Sequence, residues 1–132
     1  MSQSQIQAME DNRQHRCEMQ QLAILGLIQD NPGITSKEIR EKSGLPASTV
    51  SARINDLESE GLIVNLGPRK YGERNYSHYQ YEPDSVQQAA NRQRYHSEAF
   101  VKKTRNYLDR FRDQLGDRAI AILEARLNLY AA

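Results

Sequence analysis

The fold is decided by residues 34–63, ITSKEIREKSGLPASTVSARINDLESEGLI. Thr35 followed three residues later by Glu38 is a capping box, in which each side chain satisfies a backbone amide at a helix start. That helix is short, with Ile39 as its apolar anchor and Ser43-Gly44 as its stop. Leu45-Pro46 restarts a helix, because proline at or near the first position gives up an amide that has no partner there. Ala47, Val50, Ile54 and Leu57 follow at i, i+3, i+7 and i+10 and make one apolar stripe. Gly61 is the natural C′ residue, and after it the period changes from helical to alternating.

Upstream, Leu22, Leu25 and Ile28 at three-residue steps predict a helix from Met19, ended by Asn31-Pro32-Gly33. Residues 1–18 lack a sustained apolar stripe, although Ile6 and Met9 are spaced for one helical face. A polar arm, or a frayed helix that a partner stabilises, is expected there. Downstream, residues 62–66 read as a strand, 67–74 as a glycine-bounded loop and 75–81 as a second strand, together one hairpin ending at Pro83. Ser85 with Gln88 forms another capping box, and no Gly or Pro interrupts the chain until Gly116. A helix over residues 86–115 would be about 45 Å long. Its second half carries Phe100, Val101, Thr104, Tyr107, Leu108, Phe111 and Leu115 on one stripe. Asp117 is placed to cap a last helix with Ile120, Leu123, Leu127 and Tyr130 on one side. The expected fold is mainly α with a small β-hairpin, divided into an arm (1–18), a core (19–83) and C-terminal helices (84–132).

Composition narrows the function. The 132 residues carry 18 Lys+Arg and 17 Asp+Glu, and only 38% are hydrophobic. Mean hydropathy is -0.81. The longest apolar run, residues 22–28, is far too short to span a bilayer, and the polar first twenty residues do not look like a secretory leader. Cys17 is the single cysteine, so an internal disulfide is excluded. A small cytoplasmic protein is the expectation. The net charge of +1 hides an asymmetry. Residues 1–36 hold two basic and four acidic side chains, residues 37–84 seven and eight, and residues 85–132 nine and five.

Helix, short helix, tight turn, helix and hairpin is the order of a winged helix-turn-helix. Residues 19–83 resemble the DNA-binding domain of bacterial and phage winged-helix regulators, broadly of the multiple-antibiotic-resistance (MarR-like) type. The strings that carry the resemblance are ITSKEI at 34–39, SGLPASTVSARI at 43–54 and LESEGLI at 57–63.

In such a fold the second helix braces the third, and the third lies in the major groove, which is wide enough to admit it. With its stripe facing inward, the third helix turns Ser48, Thr49, Ala52, Asn55 and Asp56 outward, flanked by Ser51 and Arg53. The base-reading expectation falls on Ser48, Thr49, Ser51, Ala52, Arg53 and Asn55, with Arg53 first as the one cation of that helix. Its bland alternative is an ion pair with Asp56 or Glu60. The resemblance implies phosphate or minor-groove contact for Arg69, Lys70 and Arg74 at the hairpin tip. Thr35, Ser36 and Lys37 at the start of the bracing helix are candidates for another phosphate. Tyr71, Tyr76, Tyr79 and Tyr81 read as packing and cross-strand aromatic pairs rather than as base-stacking platforms.

No nucleophile-base string, phosphate-cradling glycine loop or paired-carboxylate motif stands out, so an enzyme is not expected. No cofactor is expected either. His15, Cys17, His78 and His96 lack metal-ligand spacing, and no second cysteine is present to resolve an oxidised Cys17. Phe100, Tyr107, Leu108, Phe111, Leu115, Ile120, Leu123 and Leu127 have no surface left to cover once the core is complete. Two such helices find each other, a second subunit, or both, and a homodimer is the leading expectation. The functional expectation is a sequence-specific, double-stranded-DNA-binding transcriptional regulator that represses by occlusion. Its rivals are a phage or plasmid origin or packaging-site protein, and a winged-helix adaptor for a protein partner.

Overall fold

A computed structural model describes the backbone of residues 2–131 and the side chains of residues 2–130. Positions 1 and 132 of the expected arm and C-terminal segment lie outside the described residues. The elements are α1 (Gln3–Asp30), β1 (Ile34–Thr35), α2 (Ser36–Ser43), α3 (Ala47–Ser59), β2 (Ile63–Tyr71), β3 (Arg74–Tyr81), α4 (Ser85–Phe111), a 3-10 turn (Arg112–Gln114) and α5 (Asp117–Ala131).

The first helix starts at residue 3, not 19, so the expected boundary at 18 falls inside α1. Ser2 and Gln5 form a reciprocal capping box there. Gln7 and Gln14 reach Asp11 and Glu18 one turn on. Local capping, i,i+4 bonds and straight-chain residues of good helix propensity carry a segment that buries almost nothing. The buried stripe also differs from expectation. Ile24 and Ile28 are fully buried, whereas Leu22 is 61% exposed. Steps of three residues drift backward around a helix, while a step of four stays over the core.

The capping box of Thr35 and Glu38 is present, with Gly44 left-handed behind α2. Pro46 occupies the N-cap position of α3. Val50, Ile54 and Leu57 are buried with Ile24, Ile28, Ile39 and Ile63, but Ala47 is exposed at the start of the helix. The core therefore sits where α1, α2 and α3 meet the sheet.

That sheet has three antiparallel strands in the order β1-β3-β2. The two-residue β1 escaped sequence reading because no alternation fits in two residues. Residues 67–74 are not a loop. The strands run to Tyr71 and from Arg74, leaving Gly72-Glu73 as the tip. Gly67 and Pro68 belong to an irregularity in the ladder, where proline is tolerated because the regular pairing is interrupted. The Gly67 amide donates to Asn65 Oδ1 at 2.8 Å, and His78 Nδ1 lies 2.7 Å from the Gly67 carbonyl.

Asp84, rather than Ser85, caps α4 through the Gln87 amide. The helix stops at Phe111 because the chain tightens into the 3-10 turn. Helix α5 then folds back on α4. Arg112 pairs with Glu124 at 3.0 Å near the turn, and Phe100 meets Tyr130 with ring centroids 4.7 Å apart at the far end. Leu108 and Leu127 are buried. The first turns of α4 are fastened to the exit of α3. Buried Asn91 donates to the Gly61 carbonyl at 3.4 Å, while Gln88 Nε2 donates to the Glu82 carbonyl at 2.6 Å on the segment that leads from β3 into α4.

Candidate nucleic-acid interface

The outer face of α3 follows from its buried stripe. Ser48, Ser51 and Asn55 are exposed, and Thr49 and Ala52 are half-buried. These small hydroxyl and amide groups leave the N-terminal part of that face uncharged and allow close approach of another backbone there, while Asp56, 40% exposed, carries the charge further along. Arg53 does not project from that face. Its side chain is only 16% exposed, and its Nε lies 3.0 Å from Asp56 Oδ2. The contact is ionic but poorly aligned, since this buried Nε–H makes no hydrogen bond. Asp56 Oδ2 also accepts from Gln21 Nε2 of α1 at 3.0 Å, which holds the acid in place. The structure thus has Arg53 in the ion pair weighed above as its bland alternative.

At the start of α2, Thr35 is fully buried, and its hydroxyl is committed to Glu38. The Thr35 amide, through which the helix start would hold a phosphate, also goes to Glu38 Oε1 at 3.3 Å, so Thr35 offers a phosphate neither group, which corrects the expectation at that residue. Ser36 and Lys37 are half-buried and keep part of their surface.

The hairpin brings Arg69, Lys70 and Arg74 to one end of the molecule but not to one face. Arg69 pairs with Tyr76 and Tyr71 with Arg74 across the strands, while Lys70 pairs with Asn75. Cross-strand neighbours share a side, and successive residues alternate. Arg69 and Arg74 therefore point one way and Lys70 the other. Arg69 Nη2 donates to Glu38 Oε1 at 2.9 Å. Tyr71 donates to Glu41 Oε2 at 2.9 Å, and this bond to a carboxylate raises the phenol above its ordinary pKa. Arg40 lies over the Tyr76 ring, 5.7 Å from its centroid. Lys70 and Arg74 are exposed, and neither makes a salt bridge among the described residues.

The tyrosines pack, but not on one another. Tyr79 is 6% exposed in the core, opposite Ile34 and Asn65, and Tyr81 stands opposite Ile63. The expected aromatic pairs across the wing strands are absent from that register.

A family model described as winged helix-turn-helix DNA-binding matches residues 20–64. The fold of residues 20–81, three helices and a two-stranded hairpin, is that of a winged helix-turn-helix. The match ends inside β2, and the strand pairing up to Tyr81 completes the wing. No curated protein matches the chain. Among solved structures, the chain is similar to the multiple antibiotic-resistance repressor (MarR) of Listeria monocytogenes. The identity is 20%, over 97% of this chain and 88% of that one, with a TM-score of 0.41. A MarR family regulator from Neisseria meningitidis shows 20% identity over 99% and 92%, with a TM-score of 0.40. A predicted DNA-binding transcriptional regulator from E. coli shows 21% identity over 68% and 93%, with a TM-score of 0.39.

Three features of the winged helix escaped the sequence reading. Glu38 and Glu41 bind the wing from residues 31 and 30 positions away, and no local pattern announces such pairs. Gly61 reads as a helix stop, yet α4 also approaches it so closely that a Cβ there would meet the Gln88 carbonyl. Glu58, near the end of α3, has its pKa raised by burial and then by the charge of Glu98 on α4. Cys17 is half-buried on α1, and no group of three metal-ligating side chains occurs among the described residues.

Proposed function

We propose that this chain binds double-stranded DNA sequence-specifically and acts as a homodimeric transcriptional regulator, repressing by occlusion in the cytoplasm. The observation that carries the reading is the braced outer face of α3, whose first turns carry small uncharged side chains, together with exposed wing cations that make no salt bridge among the described residues. Ser48, Thr49, Ser51, Ala52 and Asn55 form the base-reading surface. Lys70 and Arg74 on the wing, with Ser36 and Lys37 on α2, take phosphates. Arg53 joins them only by leaving Asp56. The DNA-binding unit in this reading is residues 19–83, and residues 84–132 carry assembly.

The apolar content of α5 supports the second subunit. Ile120, Leu123 and Leu127 lie on the half-buried to buried side. Ile122, Ala125 and Leu129 make a second stripe, with Ile122 47% and Leu129 80% exposed. Leu108 and Leu127 are already covered within the chain, so dimer contacts fall to Tyr107, Ile122 and Leu129. Ile6 and Met9 on α1 are exposed as well.

The test is fluorescence anisotropy of a random-sequence duplex of about 30 base pairs, titrated across a salt series. A steep fall of affinity with salt supports the reading, and its slope counts the phosphate contacts. Absence of binding at low salt overturns it. A protein-binding adaptor is the second reading. It is favoured by the neutralised Arg53 and by the acidic end of α3, Asp56, Glu58 and Glu60. An adaptor is indifferent to Asn55→Ala in the duplex titration with a selected site, whereas a base reader loses about 1–3 kcal/mol.

A further inference from the structure

We propose that Glu38 holds Arg69 in the DNA-free protein and yields it to a phosphate when a duplex docks, so that one carboxylate sets the wing's share of affinity. The inference deepens the DNA-binding reading and rests on it.

Glu38 is fixed before the wing arrives. Its Oε1 accepts from the Thr35 amide at 3.3 Å and the Thr35 hydroxyl at 2.9 Å, and the side chain is 23% exposed. The same oxygen then receives Arg69 Nη2 at 2.9 Å. The guanidinium lies close against Gly33. A Cβ on that glycine would stand 3.3 Å from Arg69 Nη1 and 4.0 Å from the His78 ring. Two residues along the same face of β2, Tyr71 is tied to Glu41, and Arg40 covers Tyr76 on the paired strand. The wing is thus fastened to the bracing helix by two carboxylates and a cation over a ring.

The fastening at Arg69 is exchangeable. The Arg69 side chain is 45% exposed, and exposed ion pairs hold weakly. Carboxylate and phosphate both present paired oxygens to the guanidinium fork, so one replaces the other without a new geometry. Glu38 stands one residue from Lys37, which the reading above places at a phosphate. Phosphate of the docked duplex therefore comes within reach of Arg69.

Glu38→Gln is the informative variant, because glutamine also serves at the third position of a capping box and keeps the helix start. Wild type, Glu38→Gln, Arg69→Gln and the double variant are titrated with the random duplex across salt, after thermal melts confirm that each folds. Glu38→Gln is expected to tighten binding roughly five-fold at 0.15 M salt with the log–log slope unchanged, because Arg69 meets the phosphate in both complexes and only its release from Glu38 becomes free. Arg69→Gln is expected to lower the slope by about 0.9. In the Arg69→Gln background Glu38→Gln is expected to leave affinity unchanged. Unchanged or weaker binding by Glu38→Gln, with wild type binding normally, overturns the proposal and leaves the DNA reading intact. An equal gain in both backgrounds also overturns it, since general charge repulsion then explains the gain. No binding by wild type or any variant overturns both.

Discussion

At Gly61 the backbone runs at φ +77°, and the Gln88 carbonyl of α4 occupies the place where a Cβ would stand. Gly61→Ala meets both backbone strain and a clash with helix backbone, and a loss of about 4 kcal/mol is expected in urea denaturation. Gly44 is the contrast. Its φ is +70°, but no atom lies within 4 Å of the built Cβ, so Gly44→Ala is expected to cost only about 1 kcal/mol. Glu58 makes a pH prediction. Its folded pKa lies above the ordinary 4.5, chiefly through burial and secondarily through Glu98. The native state therefore binds the proton more tightly than the unfolded chain. This contribution to stability is fully present below the unfolded pKa and is lost as pH rises through the folded one. Glu58→Gln is expected to raise the urea midpoint at pH 7 relative to wild type, with the difference shrinking toward pH 4.5. An equal difference at both pH values would contradict the assignment.

Among the elements, α1 divides into two unlike halves. Residues 3–16 are all exposed, whereas Ile24 and Ile28 are fully buried. Amide hydrogen exchange is expected to be fast over the first half and slowest around Ile24 to Ile28, because local caps do not protect a helix as packing does. Slow exchange from residue 3 onward at low protein concentration would contradict that division. The wing makes a second prediction at this scale. Lys70 and Arg74 are exposed without ion pairs, but on opposite faces of the hairpin. Lys70→Ala and Arg74→Ala are each expected to reduce the salt slope by about one, which requires the wing to meet DNA edge-on with both faces in contact. An effect of only one of them would mean that a single face of the hairpin is turned to DNA.

For the whole molecule, the connection of consequence runs from α5 through α4 to the exit of α3. Asn91 binds α4 to the Gly61 carbonyl at the end of the helix-turn-helix, and α5, folded on α4, keeps Ile122 and Leu129 exposed. If that stripe joins two subunits, their separation fixes the separation of two recognition helices. Sedimentation at twice the 15.2 kDa chain mass is expected, with Ile122→Glu plus Leu129→Glu shifting the protein to a monomer of unchanged helicity. A monomeric wild type at micromolar concentration would remove the dimer from the proposed function.

The helix-turn-helix was legible in residues 34–63 because its signals are local: a capping box, a glycine stop, a proline start and a 3.6-residue stripe, each acting within a few positions. The order of the helices, the presence of a hairpin and the trailing amphipathic helices followed from the same short-range rules, whereas β1, the first half of α1 and the reach of the wing strands did not. What required tertiary structure was every pairing across distance. Only the fold decided that Arg53 turns to Asp56, that Thr35 is sealed in the core beside β3, and that Arg69 meets Glu38. Leu22 and Ile24 differ only in which side of α1 the rest of the chain covers. Charge partners are set by where strands and helices come to rest, and a side chain's availability to DNA depends on those partners. Residue types and spacings therefore determined the scaffold, while the free or engaged state of its cations was settled by packing.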